Sequence, residues 1–172
     1  HKGDVFAATA CNGKICTGGH DKALYIWDPS IRGEESNKEP KNSSNTEKTS
    51  TMQLIQKYKD AHEHIISCLE TYHGPAFIQP LLISGSWDGN IIIWDLNYRK
   101  GSTRISTDGS GTTTTAAAAT TIPSSNSARG GMRYILKGHT HRIKSLSTIN
   151  NHLLADIPRL VSGSDDLSIR VW

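Results

Sequence analysis

The chain has 172 residues, with 19 Lys and Arg against 16 Asp and Glu, giving a formal net charge of +3 with histidine neutral. All of that excess lies in 97–131, where Arg99, Lys100, Arg104 and Arg129 face Asp108 alone, so the rest balances and nucleic-acid binding through a charged face is disfavoured. No apolar run approaches the roughly 18 residues of a membrane-spanning helix, and no charged-then-apolar leader appears, so neither membrane insertion nor secretion is expected.

In chain order the apolar signals are short. VFAA begins at Val5, ICTG at Ile15, ALYIW at Ala23 and MQLIQKY at Met52. IISCLE, LLISG, NIIIW and MRYILK then follow from Ile65, Leu81, Asn90 and Met132, and IKSLS, RLVSG and SIRVW from Ile143, Arg159 and Ser168. Each run is rich in β-branched or aromatic residues and is bounded by Gly, Asp or Pro, with no helical period, which predicts an all-β fold. Near-continuous runs such as Ile91-Ile92-Ile93 suit sheets buried on both faces.

The runs repeat. TGGHDKALYIWD, SGSWDGNIIIWD and SGSDDLSIRVW share a frame in which Gly18, Gly85 and Gly163 coincide, with Asp21, Asp88 and Asp166 just beyond. Trp27, Trp94 and Trp172 stand six residues past each Asp, and upstream His1, His62 and His139 each precede an aliphatic by four, at Val5, Ile66 and Ile143. Trp27 and Trp94 are 67 positions apart, and Trp94 and Trp172 are 78. Two polar segments account for the excess: 29–51, whose single aliphatic is Ile31, and the Gly/Ser/Thr-rich 97–131. Without them the spacings become 44 and 43. Neither segment holds enough apolar surface to offset ordering entropy, so both are expected to be disordered inserts. They occupy the same place in successive repeats, after the Trp-Asp and before the next His, as loops on one face of a stacked array would.

These residues resemble the WD-repeat β-propellers. Gly138-His139 stands for the family's Gly-His, and Trp27-Asp28 and Trp94-Asp95 for its Trp-Asp. Ala61 replaces Gly before His62. The resemblance implies four-stranded antiparallel blades in a ring that commonly has seven. The chain would supply about three consecutive blades: 1–60 with the insert 29–51, 61–137 with the insert 97–131, and an incomplete blade at 138–172. Starting at a His landmark without Met and ending on a Trp, it is expected to be an internal fragment with further blades on both sides.

In each copy the turn Asp can accept from the His imidazole, and the His can engage a hydroxyl that accepts from the Trp indole. The expected structural networks are His1-Thr17-Asp21-Trp27, His62-Ser84-Asp88-Trp94 and His139-Ser162-Asp166-Trp172; which hydroxyl takes part is implied by the resemblance alone.

Catalytic readings compete poorly with architecture. His62-x-His64 and His139-x-His141 could present two imidazoles to a zinc ion on one strand face, but the first His of each pair is the repeat landmark. Asp165-Asp166 could serve acid–base work or a divalent cation, but Asp166 belongs to a network. GSGTTTT lacks the Lys of a phosphate loop. Cys11, Cys16 and Cys68 show no metal-type pairing and read as reduced, buried side chains, which points to the cytoplasm or nucleus. No catalytic residue, metal or cofactor is expected.

The expected function is a non-catalytic scaffold holding partner proteins or peptides, within a multiprotein complex. The alternatives are the substrate-recognition propeller of a larger kinase or ubiquitin ligase, and a subunit of an RNA-processing complex. Trp87 holds the place taken by His20 and Asp165 in the other copies, just before the turn Asp. The resemblance puts this position on the propeller's top face, where an indole can anchor a partner, with His20, Asp165, His64 and Arg142 nearby. The competing expectation packs Trp87 on the YHGPAFIQP segment, which begins at Tyr72.

Overall fold

A computed structural model of the chain describes residues 1–29, 52–73, 79–97, 119–121, 131–149 and 159–172. The described residues hold twelve β-strands and no helix, so no helix is long and apolar enough to cross a membrane. The first sheet has order β1 (Val5–Cys11), β2 (Lys14–Gly19), β3 (Leu24–Asp28) and β4 (Gln53–Tyr58), every pair antiparallel. The second comprises β5 (Ile66–Tyr72), β6 (Leu81–Ser86), β7 (Ile91–Trp94), β8 (Ala119–Thr121) and β9 (Met132–Leu136), in the order β5-β6-β7-β9-β8. The third is β10 (Ile143–Ile149), β11 (Arg159–Ser164) and β12 (Ile169–Val171). The fold is all-β, as three antiparallel sheets of the propeller-blade type.

The middle sheet departs from the expected four strands. β8 comes from the insert 97–131 and pairs with β9 through Ala119↔Leu136, Thr120↔Ile135 and Thr121↔Tyr134. Disorder is therefore the wrong expectation for 119–121. The outer edge of β9 offers unpaired N–H and C=O groups, and a Thr-containing stretch returning past it can satisfy them. The rest of that insert, 98–118 and 122–130, lies outside the described residues, as does 30–51 of the first.

The middle sheet shows why Ile91-Ile92-Ile93 reads as continuous. Leu82, Ile92 and Trp94 face a core shared with the first sheet, where they meet Cys16, Leu24, Ile26 and Tyr58. Ile83 and Ile91 face the other way, into a core with Ile143 and Leu160 of the third sheet. Alternate residues thus fill two cores. In the third sheet Ile169 and Val171, in register with Ile91 and Ile93, are 77% and 55% exposed, because no described sheet covers that face.

The repeated Gly and the repeated aliphatic are packing partners across the seams between sheets. A Cβ on Gly18 would stand 2.6 Å from Cγ2 of Ile66 in the second sheet, and one on Gly85 would stand 2.9 Å from Cγ2 of Ile143 in the third. Each Gly lets the next sheet's first strand approach. Polar bonds reinforce the seams: Thr71 Oγ1 donates to the Ala10 carbonyl (2.9 Å), and Ser67 Oγ donates to the Ile143 carbonyl. The β1–β2 hairpin closes through Asn12-Gly13 with φ of 53° and 69°, the paired left-handed geometry that suits the strand twist.

Gly85→Ala should therefore cost about 1–3 kcal/mol by overpacking the second seam. Gly163→Ala should cost less, because its Cβ would meet only the Ser145 hydroxyl, a group free to rotate. Thermal melts of the two variants check this, and equal losses would contradict it.

Candidate functional site

Each β2–β3-type hairpin turns at an Asp, and the three turns are built alike. Lys22, Gly89 and Leu167, the residues after the Asp, adopt φ of 60°, 80° and 64°, and their N–H groups donate to the carbonyls of Gly19, Ser86 and Ser164 (3.2 Å each). The carboxylate then collects donors. Asp88 accepts from His62 Nδ1 (3.0 Å), the Glu63 N–H (2.9 Å) and the Asn90 N–H (2.8 Å). Asp166 accepts from His139 Nδ1 (2.7 Å), the Thr140 N–H (3.2 Å) and the Ser168 N–H (3.0 Å). Asp21 accepts from His1 Nδ1 (2.9 Å), the Lys2 N–H (2.9 Å) and the Ala23 N–H (3.4 Å).

The chains continue inward. His62 Nε2 and Trp94 Nε1 both meet Ser84 Oγ, at 2.7 and 2.8 Å. His139 and Trp172 meet Ser162 (2.8 and 2.9 Å), and His1 and Trp27 meet Thr17 (2.8 Å each). The structure thus joins each sequence-derived set of four into one hydrogen-bonded chain. Donor arithmetic closes in the second copy if His62 is neutral with its proton on Nδ1. The indole then donates to the serine, the serine to Nε2, and Nδ1–H to Asp88. Ser84, His62 and Trp94 are all buried, so an unmet donor there would be costly.

The carboxylates register these contacts. Burial pushes Asp88 up, but the hydrogen bond from His62 and the N–H groups of Asn90 and Glu63 outweigh it, leaving the carboxyl below its ordinary value of 3.8. Asp21 is likewise lowered against burial, by the Lys2 N–H, the Tyr25 hydroxyl and the Ala23 N–H. Asp166 is held low chiefly by the Ser168 hydroxyl, with burial opposing and His139 adding to the effect. The Cys11, Cys16 and Cys68 thiols are free and are pushed up by burial to about 11, 12 and 11, so they are protonated and unreactive near neutrality.

The paired histidines diverge. Both ring nitrogens of His62 are engaged in its chain, while His64 Nδ1 accepts the Ile65 N–H (2.9 Å) and its ring turns to Trp87. Among the described residues no group of three or more His, Cys, Asp or Glu is arranged to hold a metal.

The corner residue of each turn is fixed by its backbone. The His20 N–H donates to the Asp4 carbonyl (2.8 Å), Trp87 to Ile65 (3.0 Å) and Asp165 to Arg142 (3.0 Å), which leaves the three side chains free of framework duty. Half-buried Trp87 gathers neighbours from all three sheets. The His64 ring lies 5.6 Å away at 28°, Phe6 of β1 lies 6.3 Å away, and the Arg142 guanidinium carbon is 4.1 Å from the indole centroid. Residues 74–78 of YHGPAFIQP lie outside the described residues, so packing of Trp87 on that segment is not among the contacts seen. Among the described residues, no hydrogen bond or ring contact joins His20 or Asp165 to the indole; Asp165 instead faces Lys144 at 3.8 Å.

Phe6 and Lys144 are absent from the sequence-derived set. Both sit at a bulge, where the register slips between Val5 and Ala7 and between Ile143 and Ser145. The signal was their shared place five residues past the His landmark. Tyr25 was also missed: its hydroxyl donates to Asp21 (2.9 Å) and accepts from Lys57.

The WD domain, G-beta repeat family matches residues 52–95 and 130–172, just over half of the chain. The chain is also 26% identical, over 193 aligned positions, to an Arabidopsis thaliana protein described as DENN domain and WD repeat-containing protein SCD1. That alignment covers 93% of this chain and 15% of the length of the relative.

Because the depressed carboxylates favour the folded state only when ionised, their contribution is complete above the ordinary Asp value of 3.8 and is lost as pH falls below it. Melting temperature should drop steeply between about pH 4 and pH 2, and less steeply in Asp88→Asn. Parallel acid limbs for wild type and variant would remove Asp88 from the cause.

Proposed function

The chain belongs to the WD-repeat family, and we propose that it acts as a non-catalytic platform holding partner proteins or peptides on the face that carries Trp87. WD repeats are generally protein-interaction scaffolds, and the site's construction favours the same use here. The observation that carries the reading is the cluster itself. Phe6, Trp87 and Arg142 come from three successive sheets and meet at one place, though none belongs to the hydrogen-bonded chains. A residue with a structural duty in every repeat would recur, but the corner position holds His20, Trp87 and Asp165 in turn.

The cluster also has the composition of an anchor. Phe6 is 51% exposed, Arg142 is exposed and Trp87 is half-buried, so a partner could bury an indole, a phenyl ring and a guanidinium that are already positioned. Preorganised aromatic and Arg side chains are the types that dominate binding energy at interfaces. The Arabidopsis relative's description couples WD repeats with a DENN domain in a much longer protein; by analogy, these blades serve as the docking part of a larger chain.

Trp87→Ala should weaken a partner on this face by about 1–3 kcal/mol while leaving the melting temperature nearly unchanged. Quantitative affinity capture by the full-length protein would compare wild type, Trp87→Ala and Gln53→Ala on the exposed β4 edge. Partners retained equally by all three would place the interface elsewhere, and a binding loss matching the unfolded fraction would return Trp87 to architecture.

A further inference from the structure

The charges around Trp87 specify the partner more narrowly. We infer, resting on the platform reading above, that the Phe6–Trp87–Arg142 patch takes an extended acidic segment of a partner protein. An Asp or Glu carboxylate of that segment would pair with the Arg142 guanidinium, beside an aliphatic side chain on Phe6.

Arg142 lies with its guanidinium carbon 4.1 Å from the indole centroid, and among the described residues it has no ion pair. A guanidinium over an aromatic face still has N–H donors to offer, and its fork suits bidentate capture of a carboxylate. The stack also holds the side chain in place beforehand, so less rotamer entropy is lost on binding.

The neighbouring charges set the sign and size. Lys144, the next cation along the strand, faces Asp165 at 3.8 Å and is largely offset by it. His64 spends Nδ1 on accepting the Ile65 N–H, so that nitrogen is not offered to a partner. The patch is therefore close to singly cationic. That matches one carboxylate, whereas a phosphate dianion would call for a second unpaired cation. Beside it the exposed Phe6 ring, 6.3 Å from the indole, offers apolar surface but no donor. Carboxylate and aliphatic group are thus wanted side by side.

The test uses the full-length protein and arrays of twelve-residue synthetic peptides, with affinities of the retained peptides measured in solution. Matched sets present an aliphatic residue next to Glu, Gln, Lys or phosphoserine. The Glu peptides should bind about tenfold or more tighter than their Gln counterparts. Arg142→Gln should abolish that preference, Arg142→Lys should keep part of it, and added salt should shrink it. Trp87→Ala should weaken both sets, the Glu peptides at least as much as the Gln peptides, because it also removes the ring on which Arg142 rests. Equal binding of Glu and Gln sets, a preference for phosphoserine, or an unchanged preference in Arg142→Gln would overturn the inference. If binding is lost in Trp87→Ala without any Glu preference, the platform reading stands and the acidic partner falls. If no set shows binding sensitive to Trp87→Ala, both fall.

Discussion

A carboxylate largely withdrawn from water at the tip of a hairpin survives only if donors surround it, and much of this structure is arranged to supply them. Asp21, Asp88 and Asp166 each take one imidazole N–H and two backbone N–H groups. One backbone donor follows the His in the segment leading into the sheet and the other lies just past the turn, so a single residue ties that segment to the hairpin. The imidazole then passes the constraint to a hydroxyl on the middle strand and on to an indole. Removing the charge would strand donors at each of these places at once.

This arrangement separates frame from face. Positions that recur are used up by the frame: His, Asp, the hydroxyl residue and Trp in the chains, and Gly and the aliphatic in the seams. The corner of the turn and the residues leading into the sheet are held largely by backbone bonds, and of the bulge residues Phe6, Ser67 and Lys144 only Ser67 bonds across a seam. Their side chains can differ from copy to copy without disturbing the sheet. Trp87, Arg142 and Phe6 occupy such positions, outside the hydrogen-bonded chains that hold the sheets.

How much of this could be read beforehand follows the same division. The strands and the His, Asp and Trp members of the three chains were legible because such a network needs particular residue types at fixed spacings, and three copies show the spacing; which hydroxyl joins them was implied only by the resemblance to the WD-repeat family. Trp87 stood out as the residue that broke the pattern. Phe6 did not, since a bulge is a register event between strands, and the shared place five residues past the His marks the position without showing that it bulges. The Gly18–Ile66 and Gly85–Ile143 contacts were equally hidden: both residues were identified as landmarks, but a contact between successive copies is a tertiary fact. β8 was missed because low apolar content in the insert predicts no core, whereas an open strand edge requires only backbone groups to recruit a neighbour.

The seams and the exposed cluster are also physically connected. Trp87 belongs to the second sheet, Phe6 to the first and Arg142 leads into the third, so the cluster crosses both of the seams that the glycines allow to close. Anything bound across it contacts all three sheets in one relative placement and stabilises that placement in proportion to its affinity and concentration. The middle sheet, buried on both faces, has little freedom to adjust to such a ligand. Whatever adaptation a partner requires must therefore come from side chains at the corners and bulges, since the strands beneath them are held by the buried chains.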